Sequence, residues 1–326
     1  MNFTRRTLAI TGLAIAALGP VAVPAQAQEY PTRSITMIVP FAAGGPTDII
    51  ARIVTADMAK TLGQSIIIEN VVGAGGTTAT TRAARAAPDG YTLITGHMGT
   101  HAAAVPLYPK LAYHPEKDFE PVALLAGTPI LILAKKDFPA KDLKEFVSYV
   151  KANTDKMNMA HAGVGSVSYS SCELLSSVLE IKPIGVPFNG TGPAMNALVG
   201  GQVDYMCDQI VNAVPQINGG TIKAYAVATP ERNASLPDLP TTTEAGLPKY
   251  QVSAWNAIFA PKGTPPAIVA KLNAAAAKAL DDENVRKRLL DLGSDIPKAD
   301  GRTQAALAAL VKSEVAKWSA VLKPAM

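Results

Sequence analysis

Four histidines and two cysteines are all that 326 residues contain, and this scarcity excludes much chemistry. Cys172 and Cys207 stand too far apart for the close ligand spacing of a structural zinc site. His97 and His101 have the i, i+4 spacing of a helical metal pair, but Gly99 lies between them and no H-E-x-x-H motif accompanies them. No metal is therefore expected, and the two remain open as polar ligand contacts or ordinary loop histidines. Charge is also thin, at 17% of residues, and the longest basic cluster is Arg286-Lys287-Arg288 on a predicted surface helix. A nucleic-acid binder concentrates Lys and Arg on one face, so nucleic acid is not expected as a partner. No segment after the N-terminus approaches 18 uninterrupted apolar residues, and a transmembrane span there is excluded.

The N-terminus carries what the rest lacks. Arg5 and Arg6 precede an apolar stretch from Leu8 to Val23 that ends in Ala25-Gln26-Ala27, the pattern of a secretory signal peptide. Gly12, Gly19, Pro20 and Pro24 interrupt it, which disfavours a permanent anchor. Cleavage after Ala27 would expose Gln28 as the first mature residue and lower the formal charge from +4 by two. The expected location is the periplasm, where oxidising conditions could join the two cysteines. The plainer expectation is two buried free thiols acting as small apolar residues, and the sequence leaves the pairing open.

The mature length, about 300 residues, exceeds the usual single core and predicts two lobes. From Ser34 onward short β-branched runs alternate with helical patterns, which predicts an α/β fold with a parallel sheet covered by helices. Strands are expected at 35–39, 66–69 and 91–95, with helices at 46–62 and 77–86 between them. The runs PVALLAG and TPILILAKK then read as two strands in succession, where the chain crosses into a second lobe. There helices are expected at 143–152, 170–179 and 193–199, with strands at 157–160, 184–186, 203–206 and 222–227. The chain returns near Gln251 through a strand at 250–260 and ends in helices at 267–280, 283–292 and 304–322. Residues 28–127 and 252–326 are thus assigned to lobe 1 and residues 128–251 to lobe 2, after a signal peptide at 1–27. Two crossings between two α/β lobes imply a hinge with a cleft, a layout that suits capture of a ligand by domain closure.

Ligands in open α/β sheets sit beyond the C-terminal ends of strands, so the loops that follow strands matter most. Pro40-Phe41-Ala42-Ala43-Gly44-Gly45-Pro46-Thr47-Asp48 joins a strand to a helix. Pro46 suits the first helical position, and the glycines let an anion approach backbone N–H groups, unless the loop is merely a tight turn. Gly163-Val164-Gly165-Ser166-Val167-Ser168 does the same in the second lobe, Ser166 adding a hydroxyl and Ser168 a helix cap. It is not a G-x-S-x-G nucleophile elbow. The loop from Val72 to Thr78 lacks the lysine of a Walker A motif and the third glycine of a dinucleotide site, so no cofactor is expected. Asp208, at the end of a strand, could accept from a ligand hydroxyl or cap the next helix. It has no partner carboxylate for acid/base work, and no set of residues amounts to an active site.

Six stretches, VPFAAGGPTDIIAR, NVVGAGGTTATTRAARAAPDGYTL, GTHAAAVPLY, GVGSVSYSSCEL, VPFNGTGPAMNALVGGQVDYMCD and LPDLPTTTEAG, occur in this order. Together they resemble the substrate receptors of tripartite tricarboxylate transporters, often called Bug receptors, over essentially the whole mature chain. The resemblance implies a periplasmic binding protein fold, two α/β lobes joined by two crossover strands with a ligand cleft between them, in a periplasmic, non-enzymatic solute-binding protein, expected to be a monomer, that delivers a small carboxylate to the membrane subunits of a transporter. It also implies that one carboxylate is gripped by Phe41, Ala42, Ala43, Gly45, Pro46 and Thr47 together with Gly163, Gly165, Ser166 and Ser168. His97, Thr100, His101 and Asp208 would meet its distal end. Tyr169 stands where many relatives carry His, Cys172 where they carry a small residue, and Asn189 where Lys or Arg is common. An aliphatic di- or tricarboxylate and an aromatic carboxylate both remain open as ligands. So does a sensor protein in place of a permease.

Overall fold

The computed structural model describes residues 29–322. The signal peptide read at 1–27 lies outside these residues. From Pro31 onward the chain packs as one unit. Its strands are β1 (Ile35–Val39), β2 (Ile66–Asn70), β3 (Thr92–His97), β4 (Phe119–Lys135), β5 (Asn158–His161), β6 (Ile184–Pro187), β7 (Tyr205–Gln209), β8 (Ile222–Val227) and β9 (Ser253–Pro261). The α-helices are α1 (Pro46–Leu62), α2 (Thr77–Ala84), α3 (Ala104–Leu107), α4 (Leu143–Ala152), α5 (Val167–Leu179), α6 (Thr191–Val199), α7 (Ile210–Asn218), α8 (Pro266–Asp281), α9 (Glu283–Asp291) and α10 (Gln304–Val321).

The strands form one sheet in the order β2-β1-β3-β9-β4-β7-β5-β6, with β8 also on β4. The parallel sheet expected from the alternating pattern is present at both ends, where β1 pairs with β2 and β3, and β5 with β6 and β7. The centre departs from that expectation. There β9 runs antiparallel to β3 and β4, and β4 antiparallel to β7 and β8, so the sheet is mixed. Every antiparallel pair involves β4 or β9, the two strands that connect its halves.

PVALLAG and TPILILAKK, expected as two strands, are one 17-residue strand. Nothing between them forces a turn. Register shifts between Pro121 and Ala123 and between Leu124 and Ala126 absorb the irregularity instead. The first part of β4 pairs with β9, from Phe119 opposite Pro261 to Pro129 opposite Ser253. The second part, Ile130 to Lys135, pairs with β7 and β8. A second addition is α7, which starts directly after β7 and holds Pro215 inside it; the expected spans give this helix no bounds, although Asp208 is read as able to cap one.

Separate aromatic clusters anchor the two halves. Phe119, Phe259, Tyr113 and His101 pack in the first. Phe138, Phe146, Tyr205 and Tyr225 pack in the second. The cysteines, expected as free thiols, form a disulfide that ties α5 to β7. No helix among the described residues is long and apolar enough to cross a membrane.

Candidate functional site

β1 delivers the chain into the first loop, and Gly45 is the N-cap of α1 with Pro46 just inside the helix. A glycine cap has no side chain to bond the first-turn N–H groups, which stay available to a ligand. Asp48 is the only charged side chain at this helix start and is already engaged. Its Oδ2 accepts from Gly44 N (3.0 Å) and Arg52 Nε (2.9 Å), and its Oδ1 from Asn70 Nδ2 (2.9 Å). Burial alone would raise its pKa, but these hydrogen bonds and the Arg52 charge prevail, and the carboxyl stays below its usual range.

β5 delivers the second loop. Ser166, not Ser168, caps α5, its Oγ accepting from Tyr169 N at 3.2 Å. Ser168 Oγ instead accepts from Ala162 N at 2.9 Å, which folds the loop back on the end of the strand. The two loops touch loops of the opposite half. Ala42 N donates to Asn189 O at 2.9 Å. Tyr108 Oη lies 2.7 Å from Val164 O and 3.0 Å from Ala74 O, its single proton serving one carbonyl at a time. Gly75 has φ +60°, and a Cβ there would collide with Val164 O. Only glycine lets these backbones meet so closely.

Between the loops lies a narrow cavity of about 20 Å³, lined by Phe41, Ala42, Gly45, Pro46, Thr47, Asp48, His97, Ala162, Ser166, Val167, Ser168, Thr191 and Gln209. Four helices begin at its wall: α1 at Pro46, α5 at Val167, α6 at Thr191, and α7 immediately after Gln209. Helix N-termini carry partial positive charge, so their convergence favours an anion although no Lys or Arg lines the space. Gly190 at the start of α6 and Gln209 at the start of α7 make no side-chain cap, which leaves further N–H groups uncapped.

His97 adds a donor of fixed sense. Its Nδ1 accepts from Gly99 N (2.9 Å) and Thr100 N (3.2 Å), so the ring proton resides on Nε2. Phe41 stacks on the ring at a centroid distance of 5.1 Å. Burial pulls its pKa down to about 3, and the imidazole is neutral at physiological pH.

Of the residues singled out in the sequence, Phe41, Ala42, Gly45, Pro46, Thr47, His97, Ser166 and Ser168 line the cavity. Ala43, Thr100, His101, Gly163, Gly165 and Asp208 do not. Ala43 is exposed. His101 stacks on Phe259 in the core at 4.0 Å, while Thr100 is buried against its Nδ1. Gly163 lines an adjoining, more open depression, and Gly165 packs near Tyr108. Asp208 is buried behind the wall, accepting from Asn212 Nδ2 (2.6 Å) and Gln209 N (2.8 Å). Burial is the main reason its pKa rises to about 7. No group of three or more His, Cys, Asp or Glu converges as a metal site among the described residues.

Sequence reading missed Asp48, Ala162, Val167, Thr191 and Gln209 as lining residues. Successive side chains of a strand face opposite sides, so Asp208 and Gln209 cannot both reach the cavity. With Asp208 read as the end of the strand, which of the two faces the cavity was not legible. Thr191 did carry a signal, because Gly190-Thr191-Gly192-Pro193 repeats the glycine-then-proline helix start of Gly45-Pro46.

Residues 50–325 match the family described as tripartite tricarboxylate transporter family receptor. The chain belongs to this family. It is a transporter receptor, not an enzyme, and the resemblance carried by the six motifs is borne out. Among solved structures it is similar to MatC from Rhodopseudomonas palustris with bound malate, at 62% identity, covering 90% of this chain and 99% of that one with a TM-score of 0.88. It is also similar to the periplasmic binding protein BugD, at 43% identity, 90% and 97% coverage and a TM-score of 0.87. The UPF0065 protein in the TAR-I ttuE-ttuC' intergenic region of Agrobacterium vitis is 43% identical over 302 residues, covering 92% of this chain and 87% of the relative. The receptor thus has the periplasmic binding protein fold, mixed α/β, that its sequence led one to expect.

Proposed function

We propose that this receptor captures a four-carbon dicarboxylate of the malate class in the periplasm and hands it to the membrane subunits of a tripartite tricarboxylate transporter. The observation that carries the reading is the cationless cavity at the meeting of four helix N-termini, in a chain 62% identical to a receptor solved with malate. One carboxylate is held by backbone N–H groups of α1 and α5, each such charge-assisted bond being stronger than a neutral one. Thr47, Ser166, Ser168 and Thr191 add hydroxyls around it, and His97 faces the remainder of the ligand. The loops from the two halves of the sheet, at 28–127 with 252–326 and at 128–251, are read as the jaws of two lobes hinged on β4 and β9.

Thermal melting and calorimetry with L-malate, succinate, citrate and benzoate test this reading. L-malate or succinate should titrate one to one, unconsumed, and raise the melting temperature. A ligand at a hundred times its Kd adds about 2.7 kcal/mol to the folded state. Binding of citrate or benzoate without either diacid would overturn the ligand class. The periplasmic form should begin at Gln28, which mass spectrometry reads directly; retention of Met1 would overturn export.

A further inference from the structure

One buried polar cluster at the back of the cavity is not absorbed by the carboxylate clamp. Gln209 closes β7, lines the cavity and is 3% exposed. Its Oε1 accepts two hydrogen bonds, from Thr128 Oγ1 at 2.8 Å and from Asn256 Nδ2 at 3.0 Å. Thr128 and Asn256 are wholly buried and belong to β4 and β9, the strands that connect the two halves of the sheet. Removing three polar side chains from water costs stability unless their pairing achieves something an apolar trio would not. What it achieves is orientation. With its oxygen held from two sides, the Gln209 amide must present Nε2, which bonds no other described residue, towards the space it lines.

We propose that Gln209 is a specificity-determining residue that offers a fixed N–H donor to an acceptor-only group at the far end of the ligand, with Thr128 and Asn256 as its positioning residues. The proposal rests on the dicarboxylate reading above and deepens it. Asn256 stands opposite His97 in the β3–β9 register, so the Gln209 and His97 donors share one wall. Both have their acceptor atoms occupied from behind. A carboxylate satisfies such a wall, whereas a primary amide sets a donor against a donor and leaves a buried group unpaired, the situation that gives the sharpest discrimination between analogues.

Calorimetry with L-malate and its two monoamides at pH 7 tests the proposal on the mature chain. The wild type should bind L-malate at least about tenfold more tightly than either monoamide. Gln209→Met keeps the bulk and removes the donor. It should weaken malate binding by roughly ten- to a hundredfold, the usual scale for one hydrogen bond to a charged group, and narrow its preference over one monoamide. Asn256→Asp puts only oxygens behind Gln209, so the amide turns over and presents its own oxygen to the cavity. One monoamide should then gain on malate by about tenfold or more, a reversal that loss of packing alone cannot produce. Should Asn256→Asp fail to fold, Gln209→Met decides alone. Unchanged malate affinity and selectivity in these variants, with normal malate binding by the wild type, overturns the proposal and leaves the dicarboxylate reading standing. Absence of malate binding by the wild type removes both.

Discussion

The two strand-to-helix loops that face each other across the cavity are built from the same parts and stabilised by opposite means. The first is capped by a glycine, and its aspartate, Asp48, is held ionised by Arg52, Asn70 and the Gly44 N–H. The second is capped by the Ser166 hydroxyl, and a disulfide fastens its helix to β7. On that side the carboxyl of Asp208 is held without a cation, by Asn212 Nδ2, Gln209 N and the Thr191 side chain. One loop is therefore free to offer its amides, while the other is held rigid by its own side chains. The difference teaches that a shared glycine-rich signature describes how a backbone can approach an anion and says little about what secures it.

Removing the disulfide should give the largest effect, because only the second loop depends on one. The bond spans 35 positions, and in the chain-entropy picture a loop of that size contributes roughly 3–4 kcal/mol. A Cys172→Ser, Cys207→Ser double variant should lose about that much in urea unfolding, with hydrogen-exchange protection falling more in α5 than in α1. Equal losses in both helices would dissolve the contrast.

Substitutions at the two caps sharpen it next. Gly45 has φ −86°, so a side chain there is not strained, but a Cβ would lie 3.2 Å from Thr191 Oγ1 and 3.5 Å from Gly192 N. Gly45→Val should leave the fold intact and weaken L-malate binding about a hundredfold or more, a change of about 2.7 kcal/mol. Ser166→Ala keeps its backbone N–H and should weaken binding about tenfold, while costing roughly 1 kcal/mol of stability through the lost cap. Calorimetry and melting of both variants separate the two: an affinity loss larger at Ser166 would reverse the assignment.

The aspartates give the finest test. Asp208 has its pKa raised to about 7, so between about pH 7 and pH 4 the folded chain binds a proton that the unfolded chain does not. Its contribution therefore stabilises as pH falls, by up to about 1.4 kcal/mol per pH unit. His97 and His161, lowered by burial to about 3 and about 4, act in the opposite sense below about pH 6.5. Comparing wild type with Asp208→Asn in urea at pH 7, 6 and 5 isolates the term. The wild type should gain on the variant at each step down; parallel curves would contradict a carboxyl near half-protonation.

Much of this was legible in the sequence, for reasons that can be stated. β1 and α1 begin and end where β-branched alternation, Pro46 and Gly63 place them. Phe41, Ala42, Gly45, Pro46 and Thr47 line the cavity because glycine and proline announce local backbone geometry. Long-range geometry leaves no such mark. That Cys172 meets Cys207, that His101 turns to Phe259 while His97 keeps the cavity, and that Gln209 and not Asp208 faces inward all depend on register and packing between distant elements. Thr128 and Asn256 look like ordinary polar residues in apolar runs, and only the pairing of β4 with β9 and β7 gives them a purpose.

A cavity that attracts anions without a single guanidinium or ammonium group also has a bearing on release. The field of a helix terminus falls off within its first turn, and on the two-lobe reading proposed above the uncapped N–H groups of α1 belong to one jaw and those of α6 and α7 to the other. Parting such jaws by a few ångströms would separate the α1 terminus from those of α6 and α7, so that a ligand could no longer feel them together. No flexible cationic side chain could follow the departing carboxylate and slow it. Such a site grips only while shut, and the work of letting go reduces to the work of opening.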